Sequence, residues 1–182
     1  WLDDTKGVLL IDYDNDGDLD QLVGNGGGPN RVYRNDGNNG FSIVWTSDVQ
    51  DSSFDVNWGD YDNDGDLDQL VGNTNLPNRV YRNDGNNSFT LVWNSLESDY
   101  TYHAVWGDYD NDGDLDQLVG NSTQKNRIYR NDGGNNFTLV WNSVEIDQTR
   151  SVAWGDYDND GDLDQLVGND SIQNSRVYRN DG

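Results

Sequence analysis

Residues 12–25 read Asp-Tyr-Asp-Asn-Asp-Gly-Asp-Leu-Asp-Gln-Leu-Val-Gly-Asn, and these fourteen residues dominate the organisation of the chain. The same stretch returns unchanged at Asp60, Asp108 and Asp156, so that its period is 48 residues. Self-similarity at a fixed period of this length is the sequence signature of repeat architectures such as solenoids and propellers. We therefore expect one structural unit to occur four times along the 182 residues.

Each period contains four short apolar segments separated by Gly, Asn and Asp clusters, which is the pattern of strands joined by turns. In the third period these segments are residues 103–107, 117–120, 127–130 and 137–141, which we label strands A to D. Four strands in such a period are typical of one β-propeller blade, whereas the coils of a parallel β-helix are much shorter. The sequence thus predicts an all-β fold, a β-propeller with four 48-residue blades of four antiparallel strands, the last lacking its outer strand. The predicted blades of this single domain (1–182) span about residues 6–45, 54–93, 102–141 and 150–182.

The acidic clusters between strands A and B follow the pattern Asp-x-Asp-x-Asp-Gly-x-x-Asp. In the first copy, Asp12, Asp14 and Asp16 occupy positions 1, 3 and 5. The carbonyl of Asp18 is at position 7, and Asp20 is at position 9. Calcium takes about six to eight oxygen ligands, which this alternation supplies, whereas magnesium demands tighter octahedral geometry and transition metals prefer nitrogen or sulfur. We therefore predict four structural calcium ions, one in each blade. The predicted ligands are Asp12, Asp14, Asp16, Asp18, Asp20, Asp60, Asp62, Asp64, Asp66, Asp68, Asp108, Asp110, Asp112, Asp114, Asp116, Asp156, Asp158, Asp160, Asp162 and Asp164.

Composition and spacing exclude several other classes of protein and site. An EF-hand needs Glu at position 12, where the first copy has Val23, and it needs flanking helices. The net charge of −23 opposes binding to nucleic acid or anionic membranes, and no apolar run approaches the ~18 residues of a membrane helix. The chain has no Cys, and no residue pattern pairs a nucleophile with a base, so we predict no enzyme.

The Asp loops, the Leu-Val-Gly-Asn that follows them and the segment Asn-Arg-Val-Tyr-Arg-Asn-Asp-Gly resemble the FG-GAP/VCBS-type calcium-binding propeller repeats. The same loop type is seen in integrin α-subunit propellers, and the resemblance covers essentially the whole chain. It implies that each loop joins strands A and B of a blade and holds structural calcium. The family includes adhesion receptors, some lectins and many secreted bacterial proteins, so that an extracellular or cell-surface location is implied. Four blades are few for such a propeller, and the sequence leaves open whether they close into a ring.

The two ends of the predicted blades differ in how much their loops vary. The A–B turns are identical in all four copies and the C–D turns nearly so; we call this the acidic end. The B–C and D–A connections differ in every copy, and we call theirs the variable end. Neutral drift is one explanation, but aromatic and charged residues on a rigid scaffold favour ligand binding. The predicted ligand-binding residues are Phe54, Tyr100, Tyr102, His103 and Arg150.

These observations predict a non-catalytic, extracellular, calcium-stabilised propeller module. Its expected role is adhesion, or the binding of a glycan or an extracellular protein through the variable end. The alternative is a structural subunit of an extracellular filament or oligomer, in which the incomplete fourth blade accepts a strand from a neighbouring chain. Neither hypothesis involves nucleic acid or insertion into a membrane.

Overall fold

A computed structural model describes residues 4–170 and 173–182. The described residues form fifteen β-strands and no helix, and thus contain no helix that is able to cross a membrane. The prediction of an all-β fold is confirmed. The strands are β1 (Thr5–Ile11), β2 (Asp20–Gly28), β3 (Arg31–Asn35), β4 (Phe41–Thr46), β5 (Asp51–Gly59), β6 (Asp68–Asn73), β7 (Arg79–Asn83), β8 (Phe89–Asn94), β9 (Thr101–Gly107), β10 (Asp116–Asn121), β11 (Arg127–Asn131), β12 (Phe137–Asn142), β13 (Thr149–Gly155), β14 (Asp164–Asn169) and β15 (Arg176–Tyr178).

The strands group into four repeat units that follow the sequence repeat. Repeat unit 1 contains β1–β4, unit 2 contains β5–β8, unit 3 contains β9–β12, and unit 4 contains β13–β15. Within each unit, consecutive strands are antiparallel neighbours, so that the spatial order equals the predicted order of strands A to D. This up-and-down order places the A–B and C–D turns at one end of every unit and the other connections at the opposite end.

Units 1 and 2 share one eight-stranded sheet, whereas the prediction treats each blade as a separate sheet. The cause lies in the first B–C connection, where β2 continues to Gly28 and pairs with Asp51 and Ser52 of β5. Gly27 has a φ of 135° in this extension, a conformation that glycine adopts without strain. The corresponding contacts between later units are single bridges, Thr74 with Tyr100 and Ser122 with Gln148.

The hydrophobic core lies between successive units rather than within one of them. Between units 2 and 3, Leu70 and Val80 of unit 2 cluster with Ala104 and Val119 of unit 3. We call the face that carries Ala104 and its repeat equivalents the front face of a unit, and the face that carries Leu70 and Val80 the back face. Similar clusters join units 1 and 2 and units 3 and 4. The tryptophans at the end of strand A belong to these clusters, namely Trp58, Trp106 and Trp154.

Candidate metal centres

Each Asp loop folds back on its own backbone between the first two strands of a unit. In unit 2, a carboxylate oxygen of Asp60 accepts a hydrogen bond from Asp64 N, and the other accepts one from Gly65 N, both at 3.0 Å. Gly65 and Asn63 have positive φ angles of 96° and 59°, which reverse the chain direction. The same hydrogen bonds recur in the other three loops. The loop conformation is therefore specified locally, by the spacing of Asp, Asn and Gly.

Three carboxylates converge in every loop, from positions 1, 3 and 9 of the acidic pattern. In each group, one oxygen atom from each residue lies within 4.8 Å of the others. A set of three carboxylates at this spacing can hold one cation, and its hard oxygen donors suit calcium better than metals that prefer nitrogen or sulfur. The four groups are Asp12, Asp14 and Asp20; Asp60, Asp62 and Asp68; Asp108, Asp110 and Asp116; and Asp156, Asp158 and Asp164.

The carboxylates at positions 5 and 7 have other contacts. At position 5, the side chain accepts a hydrogen bond from the backbone N–H of position 7, as between Asp64 and Asp66 at 2.9 Å. At position 7, Asp114 Oδ1 accepts a hydrogen bond at 2.9 Å from Asn63 Nδ2 of the preceding loop. That position 7 offers its carbonyl oxygen to the metal stays a prediction. The residues at position 5 are Asp16, Asp64, Asp112 and Asp160, and those at position 7 are Asp18, Asp66, Asp114 and Asp162.

The aspartate at position 9 anchors each loop to the sheet. Asp68 is fully buried and accepts backbone hydrogen bonds from Tyr61 N at 3.1 Å and Asn83 N at 2.7 Å. Burial raises the pKa of Asp68 to about 7, and the negative charge of Asp62 adds to the effect. Burial likewise raises the pKa of Asp116 to about 7. A cation held beside Asp68 or Asp116 would favour the charged form of the carboxylate and lower its pKa again.

In units 3 and 4, the asparagine of the Arg-Asn-Asp-Gly segment connects the acidic loops of neighbouring units. Asn131 N donates to Asp116 Oδ1 at 2.7 Å, and Asn131 Nδ2 donates to the carbonyl of Tyr61 in the preceding loop at 2.8 Å. Asn180 makes the equivalent pair of bonds in unit 4. Sequence reasoning missed this role, although the asparagine recurs in every Arg-Asn-Asp-Gly segment.

At the variable end, three of the five predicted ligand-binding residues form a row across the units. The rings of Phe54 and Tyr102 have centroids 5.1 Å apart, and Arg150 Cζ lies 4.2 Å from the centroid of Tyr102. Lys6 Nζ lies 5.7 Å from the ring centroid of Phe54 and extends the row into unit 1. The four residues occupy the same repeat position, but the predicted set omits Lys6. Contacts between cations and aromatic faces of this kind are attractive.

The other two predicted residues make different contacts. His103 Nδ1 lies 2.9 Å from the carbonyl oxygen of Val152, and His103 Nε2 lies 3.8 Å from Asp55 Oδ2. His103 therefore connects units 2, 3 and 4. The backbone N–H of Tyr100 donates to Gln124 Oε1 at 2.8 Å, in the B–C connection of unit 3.

All-β units that recur along the chain and each carry an acidic loop define a tandem β-repeat protein. The model of the FG-GAP-like repeat matches residues 12–71, 60–119 and 108–167. These matches span most of the sequence, and the chain belongs to the FG-GAP-like repeat family, as the resemblance of its motifs implies. No curated protein matches the chain in sequence.

BBS1N and Bap1 are two of the solved structures that resemble the chain in fold. BBS1N, in a crystal structure with ARL6DN soaked with lead, superposes with a TM-score of 0.63 at 12% sequence identity, over 91% of this chain and 50% of that chain. The V. cholerae biofilm matrix protein Bap1 superposes with a TM-score of 0.62 at 16% identity, over 88% of this chain and 23% of that one. The chain thus spans half of the BBS1N chain and less than a quarter of the Bap1 chain. At sequence identities this low, the similarity shows only that the folds are alike.

Proposed function

We propose that this chain is a non-catalytic, extracellular module of propeller-like blades, stabilised by calcium, that binds a glycan or protein ligand at its variable end. The observation that carries the proposal is the group of three converging carboxylates that recurs in all four acidic loops. Without a cation, the three carboxylates of each group would repel one another, and the chain already has a net charge of −23.

In each loop the aspartates at positions 1, 3 and 9 would hold the ion, which supplies positive charge where the carboxylates meet. Extracellular calcium modules have dissociation constants of about 10⁻⁴ to 10⁻³ M. At a calcium concentration ten times the dissociation constant, one site adds about 1.4 kcal/mol to the free energy of unfolding, and four independent sites add roughly 6 kcal/mol. At concentrations far below the dissociation constant the sites add nothing, which favours an extracellular location. That the structural neighbour Bap1 is a biofilm matrix protein supports the same location.

Calorimetric titration of the metal-free chain with calcium tests this part of the proposal. We expect four ions per chain, and three when Asp62→Asn removes one carboxylate from the second loop. Asp48→Asn, at an exposed position outside the loops, is the matched control and should still bind four ions. The absence of binding heat at millimolar calcium, together with unchanged stability in excess chelator, would contradict the proposal.

The row at the variable end supports ligand binding, because it places aromatic faces and a guanidinium from separate units on one line. Aromatic rings with adjacent hydrogen-bond donors suit the apolar faces and hydroxyl groups of a sugar, and they also suit a protein surface. Screening a glycan array and immobilised matrix proteins against the chain would identify the ligand. The double variant Tyr102→Ala/Arg150→Ala should lose at least tenfold in affinity. Arg130→Ala removes the same charge at the acidic end and should bind normally; equal binding by all three proteins would exclude the row as the ligand site.

A second candidate is a structural role in an extracellular oligomer. Exposed apolar side chains on the front face of unit 1 and the back face of unit 4 favour it.

A further inference from the structure

The front face of unit 1 is exposed in strand A at the position that is buried in every other unit, although Val23 of strand B on the same face is buried. Val8 is 57% exposed, whereas Val56, at the same repeat position in unit 2, is 3% exposed. Ala104 and Val152 are equally buried at this position in units 3 and 4. Leu10 is also exposed, at the position where the other units have a tryptophan. Unit 1 therefore presents the apolar surface of a unit interface without a preceding unit among the described residues.

The back face of unit 4 is exposed in the same way. Val177 is 52% exposed, whereas Val80, at the same repeat position in unit 2, is completely buried. Leu166 is exposed as well, although Leu118 at the same position in unit 3 is buried. The exposed face forms an open groove of about 400 Å³ lined by Leu166, Val177 and Gly168 among others. Unit 4 therefore presents the complementary half of a unit interface.

Glycines explain how the two halves fit together. Within the chain, the front-face valine of one unit packs against a bare glycine of the unit before it. A Cβ atom on Gly24 would lie 2.7 Å from Val56 Cγ1, and one on Gly120 would lie 2.7 Å from Val152 Cγ1. Gly168 holds the same position in unit 4, but among the described residues a Cβ there would meet only Ser151, at 3.6 Å or more. The glycine at the exposed back face is thus shaped to receive a valine that unit 4 does not itself supply.

The two side chains that form the polar contact between the acidic ends of successive units are also present on these two exposed faces. Within the chain, Tyr61 of the second loop donates its hydroxyl proton to Asn135 in the C–D turn of the next unit. In unit 4 the equivalent tyrosine, Tyr157, is 56% exposed. In unit 1 the equivalent asparagine is Asn39, in the turn before β4. The donor and the acceptor of the repeated contact are therefore present on opposite faces of the same chain.

We propose that the back face of unit 4 in one copy binds the front face of unit 1 in a second copy of this chain. The interface reproduces the one that joins successive units within the chain, with Val8 seated against Gly168 and Tyr157 bonded to Asn39. Such a contact is head-to-tail, and it closes into a ring when the rotation between copies permits. It joins the faces of the sheets, in contrast to the edge-strand addition that the incomplete fourth blade predicts. The proposal deepens the second candidate function, a structural role in an oligomer, and does not depend on any ligand at the variable end.

Light scattering or analytical ultracentrifugation in millimolar calcium tests the proposal. The native chain should form particles of at least two copies, whereas a particle of 20.5 kDa, one chain, at micromolar concentration would overturn it. Val8→Lys and Val177→Glu should each reduce the particle to one chain. Both side chains are more than half exposed, so the melting temperature of the single chain should not fall. Leu96→Lys, at a position that is 98% exposed and lies on neither face, is the control and should assemble like the native chain.

A mixing experiment tests the polarity of the contact. In a mixture of the Val8→Lys and Val177→Glu variants, the back face of the first and the front face of the second are both native. The mixture should therefore form two-copy particles although neither variant does so alone. A mixture that stays at one chain, when the native chain assembles, would overturn the head-to-tail contact. Gly168→Val is a third variant, which should fold normally but remain a single chain because its side chain fills the place of Val8.

Discussion

The acidic loops at one end of the repeat units and the row of side chains at the variable end are organised in different ways. At the acidic end, the same side chains make the same contacts from unit to unit, as when Asn63 donates to Asp114 and Asn111 donates to Asp162. At the variable end, one repeat position carries lysine, phenylalanine, tyrosine and arginine in turn, and each neighbouring pair interacts by a different combination of groups.

The difference shows where stability and diversity are located in this molecule. The acidic end has buried carboxylates and backbone hydrogen bonds, whose geometry tolerates little change. At the variable end, the row of Lys6, Phe54, Tyr102 and Arg150 consists of partly exposed side chains on strands whose register is already set by the sheets, so that this repeat position changes at small cost. The same end also contains buried polar residues that repeat from unit to unit, such as Asn73, which donates its N–H to Asn78. We therefore expect metal removal and substitutions in the acidic loops to affect stability strongly, and substitutions in the row at the variable end to affect it weakly.

Removal of calcium should have the largest effect. With four independent sites at tenfold saturation, a chelator should lower the free energy of unfolding by about 6 kcal/mol, because every loop loses its charge compensation. Denaturant titration followed by tryptophan fluorescence, with and without chelator, measures the change. Magnesium at the same concentration is the control and should restore little of the loss. If the chelator changes nothing, the acidic end does not hold the fold together.

Asp116→Ala should have the next largest effect. The substitution leaves the N–H groups of Tyr109 and Asn131 without their carboxylate partner and should cost about 3 kcal/mol in the presence of chelator. Thermal unfolding monitored by circular dichroism measures the cost. Asp48→Ala is the matched control, because Asp48 is an exposed aspartate outside the loops. Equal melting temperatures for the two variants would mean that a buried carboxylate in an acidic loop stabilises the fold no more than an exposed one does.

Asn131→Ala should have an intermediate effect of about 2 kcal/mol, because it removes side-chain hydrogen bonds to the carbonyls of Tyr61 and Leu115. It should also weaken calcium binding in the loops on both sides of the turn, because Tyr61 belongs to one and Asp116 to the other. Calorimetric titration of this variant measures that second effect. A calcium isotherm identical to that of the native chain would show that the turn connects the loops without influencing their affinity.

Arg150→Ala should have the smallest effect on stability, about 1 kcal/mol, because it removes an exposed cation–aromatic contact with Tyr102 and an exposed ion pair with Asp170. The same denaturant titration measures it, with Arg130→Ala as the control at the acidic end. A decrease of several kcal/mol in the free energy of unfolding would mean that the row at the variable end also stabilises the fold. The contrast between the row and the acidic loops would then no longer hold.

Local patterns in the sequence predicted much of the fold and of the metal loops. The order of four strands follows from alternating apolar runs and turn residues, and the loop conformation follows from Asp, Asn and Gly within nine residues of each other. The pairing of β2 with β5 was not predicted, because a glycine run permits both a loop and a strand and only the approach of β5 selects the strand. Arg150 was predicted as a ligand-binding residue, but its position over Tyr102 depends on how units 3 and 4 stack.

The repeated motif indicated that this chain consists of equivalent all-β units, each with carboxylates at positions 1, 3, 5, 7 and 9 of an acidic loop, since the turns and the loop arise from contacts within a few residues. Only the structure shows that the carboxylates at positions 1, 3 and 9 converge. The stacking of the units, by contrast, determines which apolar side chains are buried. Val8 and Val56 share one repeat position and differ in exposure because unit 1 packs against Val56, whereas among the described residues no preceding unit covers Val8. Burial is a property of neighbours in space, and a repeat in sequence does not record how many neighbours each copy has.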